Sequence, residues 1–341
     1  MKLIKTEEAV GQILCHDITQ IIPGKVKDTV FCKGHVVVAE DIPVLLSVGK
    51  EHLYVWETNE GMLHENEAAE ILYEICKGDY MHGTAVKEGK IELVADCPGV
   101  LKIDVEKLNR VNSLGEMMIA ARHGNFPVQA GDKLAGTRVI PLIIEKAKME
   151  QAKRESGAGP IFQIRPYQHK KVGIVTTGSE IYKRRIEDQF TPVIKQKLAE
   201  FETEVNHHVV CNDDPEMITQ AIFSCVDKGA EMIICTGGMS VDPDDRTPLA
   251  IKNTGAAIVT YGAAVLPGAM FLLAYLEGGI PVMGLPGCVM YAKRTIFDLV
   301  LPRLMTGEIL SRQDFTKLGQ GGLCLSCETC TFPNCGFGKG A

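Results

Sequence analysis

A short strand-like run, Glu231 to Cys235, breaks off at Thr236, Gly237 and Gly238 and leads through Ser240 to Asp242, Asp244 and Asp245. Paired glycines let backbone N–H groups approach a ligand closely, and Thr236 and Ser240 add hydroxyl donors. The aspartates suit Mg²⁺, a hard cation that prefers oxygen. Together these residue types point to a phosphorylated ligand. The bland alternative is a glycine turn whose Asp244 or Asp245 caps a helix at Thr247 to Lys252. A second group of chemistry-bearing residues lies near the end of the sequence. Cys324, Cys327, Cys330 and Cys335 have the spacing C-x2-C-x2-C-x4-C, with glycine and proline around them to supply turns. A Cys₄ zinc site and a [4Fe–4S] cluster both fit; the last interval is one residue longer than in the bacterial C-x2-C-x2-C-x3-C run.

The elements that must position the first group alternate between strand and helix from about residue 165 onward. Strands are expected at Lys171–Thr176, Glu204–Cys211, Glu231–Cys235, Ala257–Tyr261, Met270–Leu276 and Pro281–Gly284. Helices are expected to open at Thr191-Pro192, Pro215 and Thr247, and a long apolar one to run over Val289–Leu304. This order predicts an α/β fold, a doubly wound, mostly parallel sheet that binds its ligand beyond the carboxyl ends of its strands. Three more polar or glycine-bearing segments fall at such ends: Thr176–Glu180 (TTGSE), Asn212–Asp214 (NDD) and Leu285–Gly287 (LPG).

The first half reads as a mixed α+β region. Residues 1–57 form a β-rich unit with strands at Val30–Ala39 and His52–Trp56 around a short helix, Asp41–Val48. Residues 58–155 form a mixed unit: a helix at Asn66–Cys76, strands at Ile91–Ala95, Gly99–Ile103, Val128–Leu134 and Thr137–Leu142, and helices at Val105–Val111, Leu114–Arg122 and Ile143–Arg154. Ser156–Pro160 is a linker signal. The sheet domain covers 165–310 and a cysteine-rich tail 318–341.

With 341 residues and a formal net charge of −7, the chain lacks the basic face that nucleic-acid binding requires. An anionic ligand must be held by local donors and metal. The longest apolar tract, Ala263–Leu276, is interrupted by Pro267 and Gly268, so no membrane span is expected, and the start lacks a signal-peptide core. The expected location is the cytoplasm. Eight scattered cysteines read as reduced core residues.

In order and spacing, the segments from about 170 to 306 resemble the molybdopterin-binding domain of molybdenum cofactor biosynthesis proteins. That family includes adenylyltransferases of the MogA type, molybdenumtransferases of the MoeA type, and CinA-like domains. The resemblance implies that Thr177, Gly178, Ser179 and Glu180 match its TGDE segment, Asp213 and Asp214 its DDP, Gly237, Gly238 and Ser240 its phosphate cradle, Asp245 and Thr247 its D-x-T, and Pro286 and Gly287 its LPG. It implies a pterin phosphate as ligand, with Glu180, Asp214 and Asp245 serving Mg²⁺ or the phosphate anhydride. There are departures. Leu266-Pro267-Gly268-Ala269 stands where molybdenumtransferases carry a lysine-bearing PGKP, GLPGNP reads GLPGCV, and their C-terminal β-domain is missing.

The first reading is therefore a molybdenumtransferase-like enzyme that exchanges AMP for molybdate on adenylated molybdopterin. The alternatives are adenylyl transfer, which the Asp245–Pro248 segment favours, and a non-catalytic pterin carrier or sensor. A homo-oligomer is expected, with a molybdoenzyme or another cofactor-biosynthesis protein as partner.

Overall fold

The computed structural model describes residues 2–22, 26–55, 61–240 and 245–340. Contacts divide the chain into two units. One comprises 1–96, 103–122 and 130–163; the other comprises 97–102, 123–129 and 164–341.

In the first unit, strand Lys2–Lys5 pairs antiparallel with His52–Val55, and Ile18–Ile22 pairs with Val26–Phe31. Leu14, Ile18, Leu45 and Leu53 close a small core beneath them. The strand expected at Val30–Ala39 ends at Phe31; its remainder forms turns and an isolated bridge at Val36. The expected end at Trp56 lies outside the described residues. A second sheet runs in the order Met81–Gly83, Lys90–Ala95, Lys133–Val139, Met117–Ala121, all antiparallel. The helix Glu65–Cys76 buries Ala68, Ala69, Leu72 and Cys76.

Leu114–Arg122, expected as a helix, is instead a turn followed by the strand Met117–Ala121. Gly115 and Glu116 adopt positive φ, which ends any helix there, and burial then alternates, with Met117 and Ile119 inward. The two strands expected at Val128–Leu134 and Thr137–Leu142 become Pro127–Val128 and one continuous Lys133–Val139. The helix expected from Ile143 begins only at Lys146, after the short strand Ile143–Glu145.

The second unit is built on a six-stranded sheet. Its order is Val205–Cys211, Val172–Thr177, Met232–Thr236, Pro281–Leu285, Leu272–Tyr275, Ala257–Tyr261. The first four pair in parallel, and Leu272–Tyr275 runs antiparallel to its neighbours on both sides. Val172–Thr177 and Met232–Thr236 are buried at every position, the pattern of central parallel strands covered on both faces. Helices Pro215–Asp227 and Thr247–Asn253 cover one face through Ile218, Ile222, Ala250 and Ile251. Phe190–Ala199 and Ile296–Met305 cover the other through Ile194, Leu198, Phe297 and Leu301. The expected long helix Val289–Leu304 is divided: a 3-10 turn, Gly287–Met290, precedes an α-helix that starts only after the capping box of Thr295 and Asp298.

Strand Gly99–Ile103 is flanked by Pro127–Val128 and Phe162–Pro166 in a three-stranded sheet. Lys102 there pairs with Glu308 at 2.8 Å, and Glu308 and Asp314 share the guanidinium of buried Arg303 at 2.6 Å each. Among the described residues no helix is long and apolar enough to cross a membrane. None of the twelve cysteines, all of them among the described residues, is in a disulfide.

Candidate functional site

Parallel pairing brings the carboxyl ends of four strands to one edge, because Thr177 is in register with Cys211, Thr176 with Thr236, and Thr236 with Leu285. The segments after these strands are therefore neighbours. Thr177, buried at the end of its strand, shares a hydrogen bond with the hydroxyl of Thr247 at 3.2 Å. Thr247 in turn donates to the Gly237 carbonyl at 2.8 Å, and its N–H donates to the Gly238 carbonyl at 3.2 Å. Buried hydroxyls require partners, and this chain of three satisfies them while fixing the glycine loop to the start of the following helix.

Both glycines are needed in the loop. Gly237 (φ +86) approaches Thr177 so closely that a Cβ would lie 2.3 Å from the Thr177 carbonyl oxygen; at Gly238 (φ +57) a Cβ would meet the Thr247 hydroxyl at 2.8 Å.

The next segments join from the other side. Gly178 donates its N–H to the Cys211 carbonyl at 3.2 Å, and Ser179 donates its N–H to Asp213 at 2.8 Å. Asp214 caps the helix Pro215–Asp227 by accepting from the Glu216 N–H at 2.8 Å. Its side chain is exposed, as are Glu180 and Ser240. Pro286 is buried and Gly287 exposed immediately beyond the strand Pro281–Leu285. Asp245 is half-buried, and its charge joins burial in raising the pKa of Tyr261. The helix Thr247–Asn253 starts from Arg246 with no side-chain cap, so capping by Asp245 does not account for that residue; Asp242 and Asp244 lie outside the described residues.

On the opposite face of the same strand ends lies a network that the sequence did not single out. The Thr176 hydroxyl lies 2.9 Å from His208 Nε2, 3.0 Å from the Thr191 hydroxyl and 3.2 Å from Asp188. Asp188 also accepts the N–H groups of Phe190 and Thr191, at 2.8 and 3.0 Å. Burial works against ionisation of Asp188, but its hydrogen bonds with Thr191, Phe190 and Thr176 prevail and hold its pKa below the ordinary value. Burial lowers the pKa of His208, and the Asp188 charge opposes that only in part. The doublet Thr176-Thr177 was the available signal: in a strand, adjacent side chains point to opposite faces, so only one of two threonines can belong to the glycine loop.

Among the described residues no three His, Cys, Asp or Glu side chains are gathered tightly enough to hold one metal ion. Mg²⁺ needs only one or two carboxylates when phosphate oxygens and water complete its shell, and the acidic rim suits that mode. Cys324, Cys327, Cys330 and Cys335 lie away from these strand ends and line a separate cavity.

Comparison with known proteins places this geometry in context. The family described as a probable molybdopterin binding domain matches residues 173–306, and a domain of unknown function matches 3–57. A CinA-like protein of Mycobacterium avium (strain 104) is 34% identical over 77 residues, 23% of this chain and 18% of that relative. A CinA-like protein of Mycobacterium tuberculosis (strain ATCC 25177 / H37Ra) is 32% identical over the same length, again 18% of the relative. The chain thus spans about a fifth of the curated relatives it matches. The solved structure of the molybdopterin biosynthesis enzyme MoaB from Thermus thermophilus is 23% identical, with a TM-score of 0.34, over 41% of this chain and 98% of that one. The glycine loop, the Thr177–Thr247 bond and the Asp213 tether all fall within residues 173–306, the stretch that matches the family described as a probable molybdopterin binding domain.

Proposed function

We propose that this protein binds molybdopterin or adenylated molybdopterin at the carboxyl ends of the parallel strands and acts in molybdenum cofactor biosynthesis. The observation that carries the reading is the hydrogen-bonded chain Thr177–Thr247–Gly237, which holds a glycine loop open beside three acidic segments within the family-matched stretch. Backbone N–H groups of the loop from Gly237 to Ser240 receive the terminal phosphate. Glu180, Asp214 and Asp245 serve Mg²⁺, which neutralises phosphate charge that an acidic pocket would otherwise repel. Asp214 does so with one carboxylate oxygen already committed to the Glu216 N–H, and Asp213, on the substrate-binding side, likewise holds the Ser179 N–H.

The reaction proposed is release of AMP from adenylated molybdopterin with entry of molybdate. Adenylyl transfer from ATP is the second reading, favoured by Asp245-Arg246-Thr247-Pro248, in which Thr247 is the residue that ties the loop to Thr177. A carrier that binds the pterin without turnover is the third.

The test is anaerobic incubation of the full chain with Mg²⁺ and either adenylated molybdopterin plus molybdate or molybdopterin plus ATP. AMP release with the first pair supports insertion, and adenylated product with the second supports transfer. Saturable binding without either product leaves the carrier. Absence of saturable pterin binding at micromolar concentration, in protein shown to be folded, overturns the whole reading.

A further inference from the structure

The tail from Gly319 to Gly340 has almost no regular secondary structure, yet it is folded onto the second unit. Ahead of the cysteines, Leu266 donates its N–H to the Gly322 carbonyl at 2.8 Å and accepts from the Cys324 N–H at 2.7 Å. Behind them, Gly338 donates to the Gly321 carbonyl at 2.9 Å, which closes the segment into a loop. Phe337 is 4% exposed in the core with Leu299 and Phe315, and Phe332 packs between Phe126 and Phe337 with ring centroids 5.9 and 6.2 Å away. Anchoring an irregular segment of this length costs conformational entropy at every residue, so its arrangement calls for an explanation.

Inside this loop all four cysteines line one cavity of about 510 Å³, which Pro267 and residues 291–294 line as well. Cys324 and Cys335 are half-buried against the core; Cys327 and Cys330 are exposed. Two cations stand on the cavity wall. Lys293 donates to the carbonyls of Cys327 and Glu328 at 3.3 and 2.6 Å, and the Arg294 guanidinium lies 5.0 Å from the centre of the Phe332 ring. Arg294 is also close enough to Cys330 to feel the charge of its thiolate.

The occupant follows from size and charge. A tetrahedral zinc ion draws four sulfurs to about 2.3 Å of one point, whereas these four cysteines line a cavity far larger than one ion. Four thiolates around a larger body, three of them at x2 intervals, form the ligand set of a cuboidal iron–sulfur cluster. Such a cluster with its thiolates is anionic overall, and hydrogen-bonded, charged neighbours are what hold it in place. We propose that Cys324, Cys327, Cys330 and Cys335 ligate a [4Fe–4S] cluster, one thiolate to each iron with its proton released to solvent, and that Lys293 and Arg294 offset its charge. The proposal does not rest on the pterin reading, since none of the strand-end segments contributes to this cavity.

The test is iron, zinc and acid-labile sulfide analysis of the full chain purified without oxygen, with electron paramagnetic resonance after reduction. About four iron and four sulfide per chain, with a brown colour that bleaches on reduction, are expected. Cys330→Ser, at an exposed position, should lose at least half of the iron, and Cys327→Ser should do the same should the first variant prove unfolded. Cys32→Ser, at an exposed thiol of the other unit, should retain all of it. One zinc per chain without iron, no metal at near-stoichiometric level, or full iron in folded Cys327→Ser and Cys330→Ser would overturn the assignment.

Discussion

Asp213, Asp214 and Asp245 look alike in the sequence, but their surroundings separate them. Asp214 caps a helix and Asp213 holds the Ser179 N–H, whereas the helix that follows Asp245 starts from Arg246 without a side-chain cap. Replacing Asp214 by Ala should therefore cost about 1 kcal/mol of stability, as loss of an N-cap does. Replacing Asp245 by Asn keeps the shape of the side chain while removing its charge, and should weaken pterin-phosphate binding or turnover about tenfold, on the order of 1.4 kcal/mol. A denaturation curve and a ligand titration on each variant check this; an Asp245→Asn protein that binds and turns over normally would remove that residue from the site. The residue types at the site were legible because glycine, threonine and aspartate announce their chemistry locally. The Asp213–Ser179 tether and the His208–Thr176 contact were not, since each joins residues more than thirty positions apart.

At the scale of elements, the parallel strands were legible because they are fully buried apolar runs bounded by glycine, proline or acidic residues. Two helices were misplaced for physical reasons. Ile296–Met305 is buried at all ten positions, so it has no polar face to give a helical period, and its start is set by Thr295 and Asp298 rather than by apolar pattern. Met117–Ala121 is composed of residues common in helices, but two positive-φ residues ahead of it and a sheet neighbour at Lys133–Val139 override that preference. The glycine loop offers the sharpest test of element geometry. Gly237→Ala places a methyl group 2.3 Å from the Thr177 carbonyl and forces an L-residue to φ +86. The backbone strain alone should cost about 1–3 kcal/mol, read as a lower urea midpoint. Ligand binding should fall as well, because the loop must move away from Thr177; a variant with unchanged stability would contradict the close approach.

At the scale of the molecule, the Lys102–Glu308–Arg303–Asp314 network binds distant parts of the second unit. Burial works to raise the pKa values of Glu308 and Asp314. The hydrogen bonds and positive charge of Arg303, joined at Glu308 by Lys102, prevail and hold both below their ordinary values, Asp314 at about 2. Because these folded-state values lie below those of the unfolded chain, the carboxylates stabilise the fold above about pH 4, and that contribution is lost as the pH falls toward about 2. Arg303→Met should leave two carboxylates without their shared partner, cost about 3–5 kcal/mol near neutral pH, and move the acid transition to higher pH. Melts recorded from pH 7 to pH 3 on both proteins would show it; parallel curves would exclude the network as the cause.

No local pattern in residues 97–102 and 123–129 shows that they belong with the second unit, since their partners are fixed only by tertiary pairing. Lys102 and Glu308 are separated by 206 positions. On a ribosome adding about 5–20 residues per second, Lys102 is made on the order of 10 to 40 s before its carboxylate partner exists. The strand Gly99–Ile103 gains its last sheet neighbour, Phe162–Pro166, well before then, but throughout that interval Lys102 lacks its carboxylate, so the growing chain offers chaperones, or other nascent chains, a cation that the finished protein neutralises.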